Sequence, residues 1–191
     1  PRVPIFADSP MALRALDFYR EAFNGGSADI RADVRTEWVG RDPFDPGTLR
    51  EMLTVDESKS INDPTSPCII ISASGMGTGG RVVHHLRAML PNPLHTVILV
   101  GYQAIGTRGR SLVDGAQFVR MHGQEVDVRA RIASVQSFSV HADGRELTEW
   151  LSTASEKPNH VFVVHGESGV ADTFAQHIVD TLHWDARAPH A

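Results

Sequence analysis

Between Cys68 and Gln103 the chain reads CIIISASGMGTGGRVVHHLRAMLPNPLHTVILVGYQ. Two continuous apolar runs flank a glycine-rich loop and a helical stretch that Pro91 and Pro93 close. Unbroken apolar runs mark strands buried on both faces, which parallel sheets provide. A helix joining two such strands makes a βαβ unit with a right-handed crossover. This order places the chain in the α/β class, with a mostly parallel sheet flanked by helices. The 191 residues, 41% hydrophobic and 21% charged, suffice for one good-sized domain or two small ones.

The rest of the chain fills in around that unit. VPIFA reads as a short strand. Asp8 or Ser9 caps a following helix with Pro10 in its first turn, and Ala12, Ala15, Leu16, Tyr19, Ala22 and Phe23 follow at helical spacing. Asn24-Gly25-Gly26 stops it. Residues 27–43 are polar and resist assignment. DPGTLREML reads as a short helix, and DESKSIND as another turn or two. AIGTRGRSLVDG is a loop with one helical turn. QFVRM and EVDVRARI flank His122-Gly123-Gln124 as an antiparallel hairpin, the second arm alternating at Val126, Val128, Ala130 and Ile132.

Further on, VQSFSV is a short strand, and Asp143 with Glu146 forms a capping box. Leu147, Trp150 and Leu151 give that helix a buried stripe, and Pro158 closes it. HVFVVHGE reads as an apolar strand and VADTFAQHIVDTL as a last amphipathic helix, with Phe174, Ile178 and Leu182 inward. A boundary falls near residues 124–133.

The net charge of −5 argues against a polyanionic partner, but its distribution argues for one. Residues 1–63 hold 8 basic and 12 acidic side chains, and residues 132–191 hold 3 and 8. Residues 76–131 hold 7 arginines against 3 acids, so the arginines gather around the glycine-rich centre. They form either a solvated surface or an anion-facing groove. Cys68, the single cysteine, lies in an apolar run as a small hydrophobe. No apolar run is long enough to span a membrane. No signal peptide is visible, a cytoplasmic location is expected, and an opening on Pro1 at a strand edge reads as a cut from something longer.

Gly75-x-Gly77-x-x-Gly80 matches the dinucleotide fingerprint and sits between a strand and a helix, as that fold requires. The acid that would bind a ribose is missing, since the next strand ends Val100-Gly101-Tyr102-Gln103. No Gly-Lys-Ser/Thr follows, so this is no nucleotide phosphate loop either. What remains is the general physics. Glycines let backbone N–H groups at a helix N-terminus approach an anion, and Ser72 and Ser74 can donate hydroxyls to it. Tight packing of helix on sheet is the competing reading.

His141 in SFSVHAD and His165 in FVVHGE each follow an apolar strand and precede a turn. In one parallel layer both would emerge at the same C-terminal edge, where ligands bind. Histidine there can ligate a metal or pass a proton, although two ligands do not close a metal site. The other histidines show no ligand spacing, and the adjacent His84 and His85 face different sides of one helix. No G-x-S-x-G elbow for a serine hydrolase is present.

Taken in order, ADSPMA, IIISASGMGTGGRVVHHL, VGYQAIGTRGRSLVDG, SFSVHADGRELTEWL and VFVVHGE resemble the β-CASP family of metallo-β-lactamase-fold nucleases. The resemblance is to its RNA-cleaving bacterial and archaeal members, akin to the endonuclease of mRNA 3′-end processing, and runs from Pro4 to Glu167. It implies a β-CASP domain over residues 1–125, partial at its N-terminus. Residues 126–191 would be the strand–helix–strand–helix C-terminal segment of a metallo-β-lactamase domain. It implies a zinc-dependent hydrolase of RNA phosphodiesters, acting in RNA processing or decay with two zinc ions in the intact enzyme.

His141 stands where the family has the histidine that contacts the scissile phosphate or acts as general acid. His165 stands where it has a ligand to one zinc. Ser72, Ser74, Gly75, Gly79, Arg108, Arg110 and Ser139 would face RNA. The family's His-x-His-x-Asp-His motif and its other metal ligands are absent, so the chain alone is expected to hold no zinc firmly and to cut nothing. A homodimer is compatible with the sequence and a membrane partner is not expected. The rival readings are a non-catalytic RNA-binding module or partner subunit of the same family, and a nucleotide-binding protein using Gly75–Gly80.

Overall fold

The structure is a computed structural model that describes residues 3–138 and 141–189. Its backbone divides into two compact units, Pro1–Ser139 and Val140–Ala191. In chain order the first holds β1 (Ile5–Ala7), α1 (Pro10–Asn24), α2 (Ala32–Glu37), β2 (Leu49–Glu51), α3 (Val55–Ser60) and β3 (Ile69–Ile71). It continues with α4 (Arg81–Met89), β4 (Thr96–Val100), α5 (Arg108–Val113), β5 (Phe118–Met121), β6 (Gln124–Asp127) and β7 (Arg131–Val135). The second unit holds α6 (Gly144–Leu151), β8 (Val161–Phe162), α7 (Ser168–Leu182) and β9 (Ala186–Arg187). The chain is α/β, and apart from the β5–β6 hairpin every strand pairing among the described residues is parallel.

β1 is the centre of a three-stranded sheet in the order β2–β1–β3, with Ile5 opposite both Leu49 and Ile69. Sequence reading expected a helix where β2 lies. Asp45 explains the difference. Its Oδ1 accepts the N–H groups of Gly47 (2.7 Å) and Leu49 (3.1 Å), and Gly47 takes φ +89°, a turn that no helix accommodates. The turn delivers Leu49–Glu51 to β1, where Ile5 N–H meets Thr48 O and Met52 N–H meets Ala7 O.

α1 starts as its sequence indicates: Ser9 is the N-cap, accepting Ala12 N–H, with Pro10 in the first turn. Its buried residues are Leu13 and Phe23, whereas Ala12, Ala15 and Tyr19 are exposed. Arg20 fixes that rotation by pairing with Asp42 (2.8 Å) and Glu51 (2.6 Å) on neighbouring segments. α3 is the turn or two expected near Asp56, closed by a Thr54–Glu57 capping box.

β3 and β4 do not form the expected βαβ pair. β3 bonds to β1, while β4 bonds in parallel to β7 along all five residues, from Thr96↔Arg131 to Val100↔Val135. Each is therefore a sheet edge among the described residues, and burial on both faces is not achieved. Ile69, Ile71, Ile98 and Val100 are half or more exposed, and in β4 it is Leu99 that is buried. The hairpin forms as read. His122 (φ +48°) and Gly123 (φ +77°) make the two-residue turn with both φ positive that suits strand twist, closing Met121 against Gln124. Its second arm keeps the expected alternation but breaks into β6 and β7, because the N–H groups of Arg129 and Ala130 both turn to Leu90 O (2.8 and 2.9 Å). The core gathers Val83, Leu86, Leu90, Leu99, Leu112, Val119, Met121, Val126 and Ala130. Burying side chains of this size contributes about 1.5–3 kcal/mol each for the larger ones.

In the second unit Asp143 and Glu146 form the capping box of α6. Its stripe is not buried: Trp150 is 69% exposed and Leu147 38%, and none of its residues is in the core. α7 does bury a face, with Ala171, Ala175 and Ile178 inward and Phe174 and Leu182 half-buried. The HVFVVHGE strand shrinks to two residues. β9 is its sole hydrogen-bonded neighbour among the described residues, through Val161 N–H to Asp185 O and Val163 N–H to Arg187 O, and Phe162 and Val164 point away exposed.

Candidate functional site

The glycine loop leaves β3 at Ile71 and enters α4 through Gly80, whose φ of +76° serves as the N-cap. A side chain at Gly80 would lie 3.0 Å from Ala73 O, and one at Gly77 (φ +64°) 3.1 Å from Leu86. Those two glycines answer to backbone shape and close packing. Gly75 and Gly79 differ, since nothing lies within 4 Å of where a Cβ would stand. Ser74 organises the loop. Its carbonyl accepts Gly77 N–H (3.0 Å), and its hydroxyl accepts Thr78 N–H (3.4 Å) and lies 3.1 Å from Thr78 Oγ1.

The 103–109 segment grips the loop from one side. Gln103 Nε2 donates to Gly75 O (3.2 Å), Gly109 N–H to Met76 O (2.8 Å), and Arg108 to Gly77 O. Three successive carbonyls are thereby consumed. The N–H groups of Gly75, Met76, Gly79 and Gly80 have no protein partner among the described residues. Unpaired amides at the start of a helix form a ready anion site.

The sequence-named residues fall into different settings. Ser74, Gly75 and Gly79 line the loop. Ser72 donates its hydroxyl to Asp8 O at 2.8 Å. Arg108 is half-buried and also donates to Arg120 O (3.3 and 3.2 Å). Arg110 pairs with Asp114 across one helical turn (2.9 Å). Ser139 lies outside the described residues. Of the central arginines, Arg120 and Arg129 meet Glu125 (3.7 Å) and Asp127 (3.3 Å) on the surface. Exposed pairs of this kind are weak and exchange readily for other anions.

His141 and His165 both belong to the second unit and are exposed, His165 in a left-handed turn at φ +70°. The expected VQSFSV strand before His141 runs into residues 139 and 140, which lie outside the described residues. β7 pairs with β4 and stops six residues before His141, while β8 pairs with β9. Among the described residues no three of His, Cys, Asp and Glu converge on a metal position. The described residues alone therefore do not close a zinc site, which takes three or four ligands. A groove of about 690 Å³ between α6 and α7, lined by Thr148, Val170, Phe174 and His177 among others, contains neither of the two histidines.

The sequence reading missed the buried polar centre behind the loop. Asp8, fully buried, receives Arg81 on Oδ1 (2.6 Å) and Ser58 on Oδ2 (2.6 Å), and His85 Nε2 lies 2.6 Å from Oδ2. His85 Nδ1 is 2.7 Å from Asn62 Oδ1, and Arg81 also reaches Met52 O and Leu53 O. Burial alone would raise the Asp8 carboxyl. The hydrogen bonds from Ser58, Arg81 and His85, with attraction to His85, hold it below its ordinary value. Burial pushes the Cys68 thiol up, which disfavours the reactive thiolate. The available signal was the i,i+4 spacing of Arg81 and His85, which sets both on one side of α4, away from the face that Val83, Leu86 and Leu90 bury.

Residues 1–112 match the Beta-Casp domain family. The chain belongs to the β-CASP family. Residues 125–189 match a second family, described as a Zn-dependent metallo-hydrolase RNA specificity domain. Among curated relatives of this β-CASP chain, Ribonuclease TTHA0252 of Thermus thermophilus is 36% identical over 167 residues, 87% of this chain and 37% of that protein. An RNase J-like protein of Methanocaldococcus jannaschii is 33% identical over 180 residues, 94% of this chain and 39% of that protein. Transcription termination factor FttA of Pyrococcus horikoshii is 32% identical over 193 residues, 98% and 29% respectively. The chain thus spans well under half the length of these relatives. No helix among the described residues is long and apolar enough to cross a membrane.

Proposed function

We propose that this β-CASP chain supplies the RNA-facing part of a zinc-dependent RNA hydrolase active in RNA processing or decay. One observation carries the reading: the glycine loop has its carbonyls tied down and four backbone amides unpartnered at the mouth of α4. Such amides suit the phosphates of an RNA backbone, which position a polyanion without reading its bases. The surrounding arginines add attraction that salt would screen. The names of the relatives, a ribonuclease and a transcription termination factor, agree with RNA as substrate.

In this reading residues 1–125 form the β-CASP domain and residues 126–191 the C-terminal return into the hydrolase domain. His165 is one ligand to a zinc pair whose other ligands lie outside this chain, so the 191 residues alone hold no zinc firmly and cut nothing. His141 faces the scissile phosphate. Ser139, Ser74, Gly75 and Gly79 contact the backbone, and Arg108 and Arg110 lend charge from beside the loop. The protein acts in the cytoplasm, as a monomer or homodimer that sedimentation distinguishes.

The test joins this chain to the missing ligand-bearing half, adds zinc, and follows cleavage of single-stranded RNA. His141→Ala and His165→Ala are expected to abolish cutting, and unchanged rates in both would overturn the assignment. A non-catalytic RNA-binding subunit of the same family is the second reading. It predicts salt-dependent RNA binding that persists without hydrolysis in the joined protein.

A further inference from the structure

We infer that Gln103 is the positioning residue of the glycine loop, aiming the Met76 amide at the bound phosphate. The inference rests on the reading of that loop as a phosphate-binding element.

Gln103 is 5% exposed and stands two residues beyond Gly101, the positive-φ residue that ends β4. Its Nε2 donates to Gly75 O (3.2 Å) and Gly101 O (3.4 Å). Its Oε1 is buried with no partner. Rotating the amide would set Oε1 against two carbonyl oxygens, so the donor end must face them. A buried acceptor without a partner is destabilising, and an apolar side chain of the same size would avoid it. What the glutamine supplies, and an apolar side chain would not, is a donor to Gly75 O.

The need follows from peptide geometry. In a trans peptide, such as those that follow Gly75, Met76 and Gly77, the C=O and the next N–H point in opposite directions. Holding Gly75 O inward turns Met76 N–H outward. The clamps on Met76 O and Gly77 O turn the N–H groups of Gly77 and Thr78 likewise, but Ser74 already takes both, through its carbonyl (3.0 Å) and its hydroxyl (3.4 Å). Of the three clamped peptides, Met76 alone keeps its N–H for a ligand, and Gln103 sets its direction. Gly109 is shaped to the same purpose, because a Cβ there would overlap Gln103 Oε1.

The test uses the isotope-labelled 191-residue chain, with inorganic phosphate and a ten-nucleotide oligouridylate as probes. In the unaltered protein the Met76 amide resonance is expected to move and saturate with either probe, less tightly as salt rises. A scalar coupling across the hydrogen bond should link Gln103 Nε2 to the Gly75 carbonyl carbon. Gln103→Leu is expected to weaken oligonucleotide binding by about tenfold and to silence Met76, while Val119 and Val126 in the hairpin keep their positions. Equal binding with an unchanged Met76 response in the variant overturns the inference and leaves the phosphate reading standing. Absence of the coupling in the unaltered protein also overturns it, and needs no variant to fold. A present coupling with a loop that ignores both probes instead removes the phosphate reading, and this inference with it.

Discussion

The sharpest energetic claim concerns Asp8. Removing its carboxylate by Asp8→Ala strands three partners, the buried Ser58 hydroxyl, Arg81 with 17% of its side chain exposed and His85 with 6%. Breaking a buried ion pair by deleting one partner costs about 3–5 kcal/mol. Arg81 retains Met52 O (2.7 Å) and Leu53 O (3.3 Å), which places the expected loss near the lower end, about 3 kcal/mol. Against a total stability of about 5–15 kcal/mol this is a large fraction. For a chain of this length it lowers Tm by roughly 6–12 °C. Asp8→Asn keeps the shape and one acceptor, and should lose about 1–3 kcal/mol.

Acid supplies an independent check. The folded-state carboxyl of Asp8 lies below its ordinary value of 3.8, so its contribution is complete above that pH and fades as pH falls through the lower folded value. The gap between the unaltered chain and Asp8→Ala should therefore be flat from neutral pH to about pH 5 and narrow below the ordinary value. Urea unfolding followed by circular dichroism across that range measures both quantities. An Asp8→Ala chain within 1 kcal/mol of the unaltered one, on the order of an ordinary surface change, would refute the ion-pair argument. A gap that widens in acid would refute the linkage.

The other predictions test single features. Gly109→Ala should destabilise by about 1–3 kcal/mol in urea unfolding, although alanine is the better helix former by about 1 kcal/mol, because its Cβ would overlap Gln103 Oε1 and press on Met76 O at 3.1 Å. Adding Gln103→Ala should recover part of that loss, and strict additivity would dismiss the contact. Ile178→Ala, at a position with no exposure, should cost about 2–5 kcal/mol, while Trp150→Ala in this chain should change thermal stability by no more than about 0.5 kcal/mol. Gly123→Ala, at φ +77° in the hairpin turn, should cost about 1–2 kcal/mol and show first as faster amide exchange in β5 and β6.

Elements with local causes were legible in the chain. The Ser9 and Asp143 caps, the His122-Gly123 turn and the inward face of α7 each depend on residues within a few positions of one another. The strand pairings depended on partners far away. Asp45 and Gly47 made a strand arrive where helical spacing was read, and two contiguous apolar runs paired with β1 and β7 instead of each other. The apolar stripes of β3, β4 and α6 were recognised as apolar, but burial needs a covering layer. A sequence pattern cannot say whether that layer comes from the same unit.

The same distinction governs the site. A G-x-G-x-x-G string is equally a dinucleotide loop, a packing device or a backbone anion site, because glycine permits all three. What separates them is which backbone groups are already spent. Here Gly77 and Gly80 are spent on packing, while Gly75 and Gly79 open onto empty space. Donors from the 103–109 segment, 28 to 33 residues downstream, occupy the carbonyls. Asp8 secures the far side through Ser58, Arg81 and His85, between 50 and 77 residues away. An anion site on a glycine loop is thus made less by the glycines than by the residues that use up its oxygens. In folding stability those residues should tolerate substitution less well than Gly75, where a Cβ meets no protein atom.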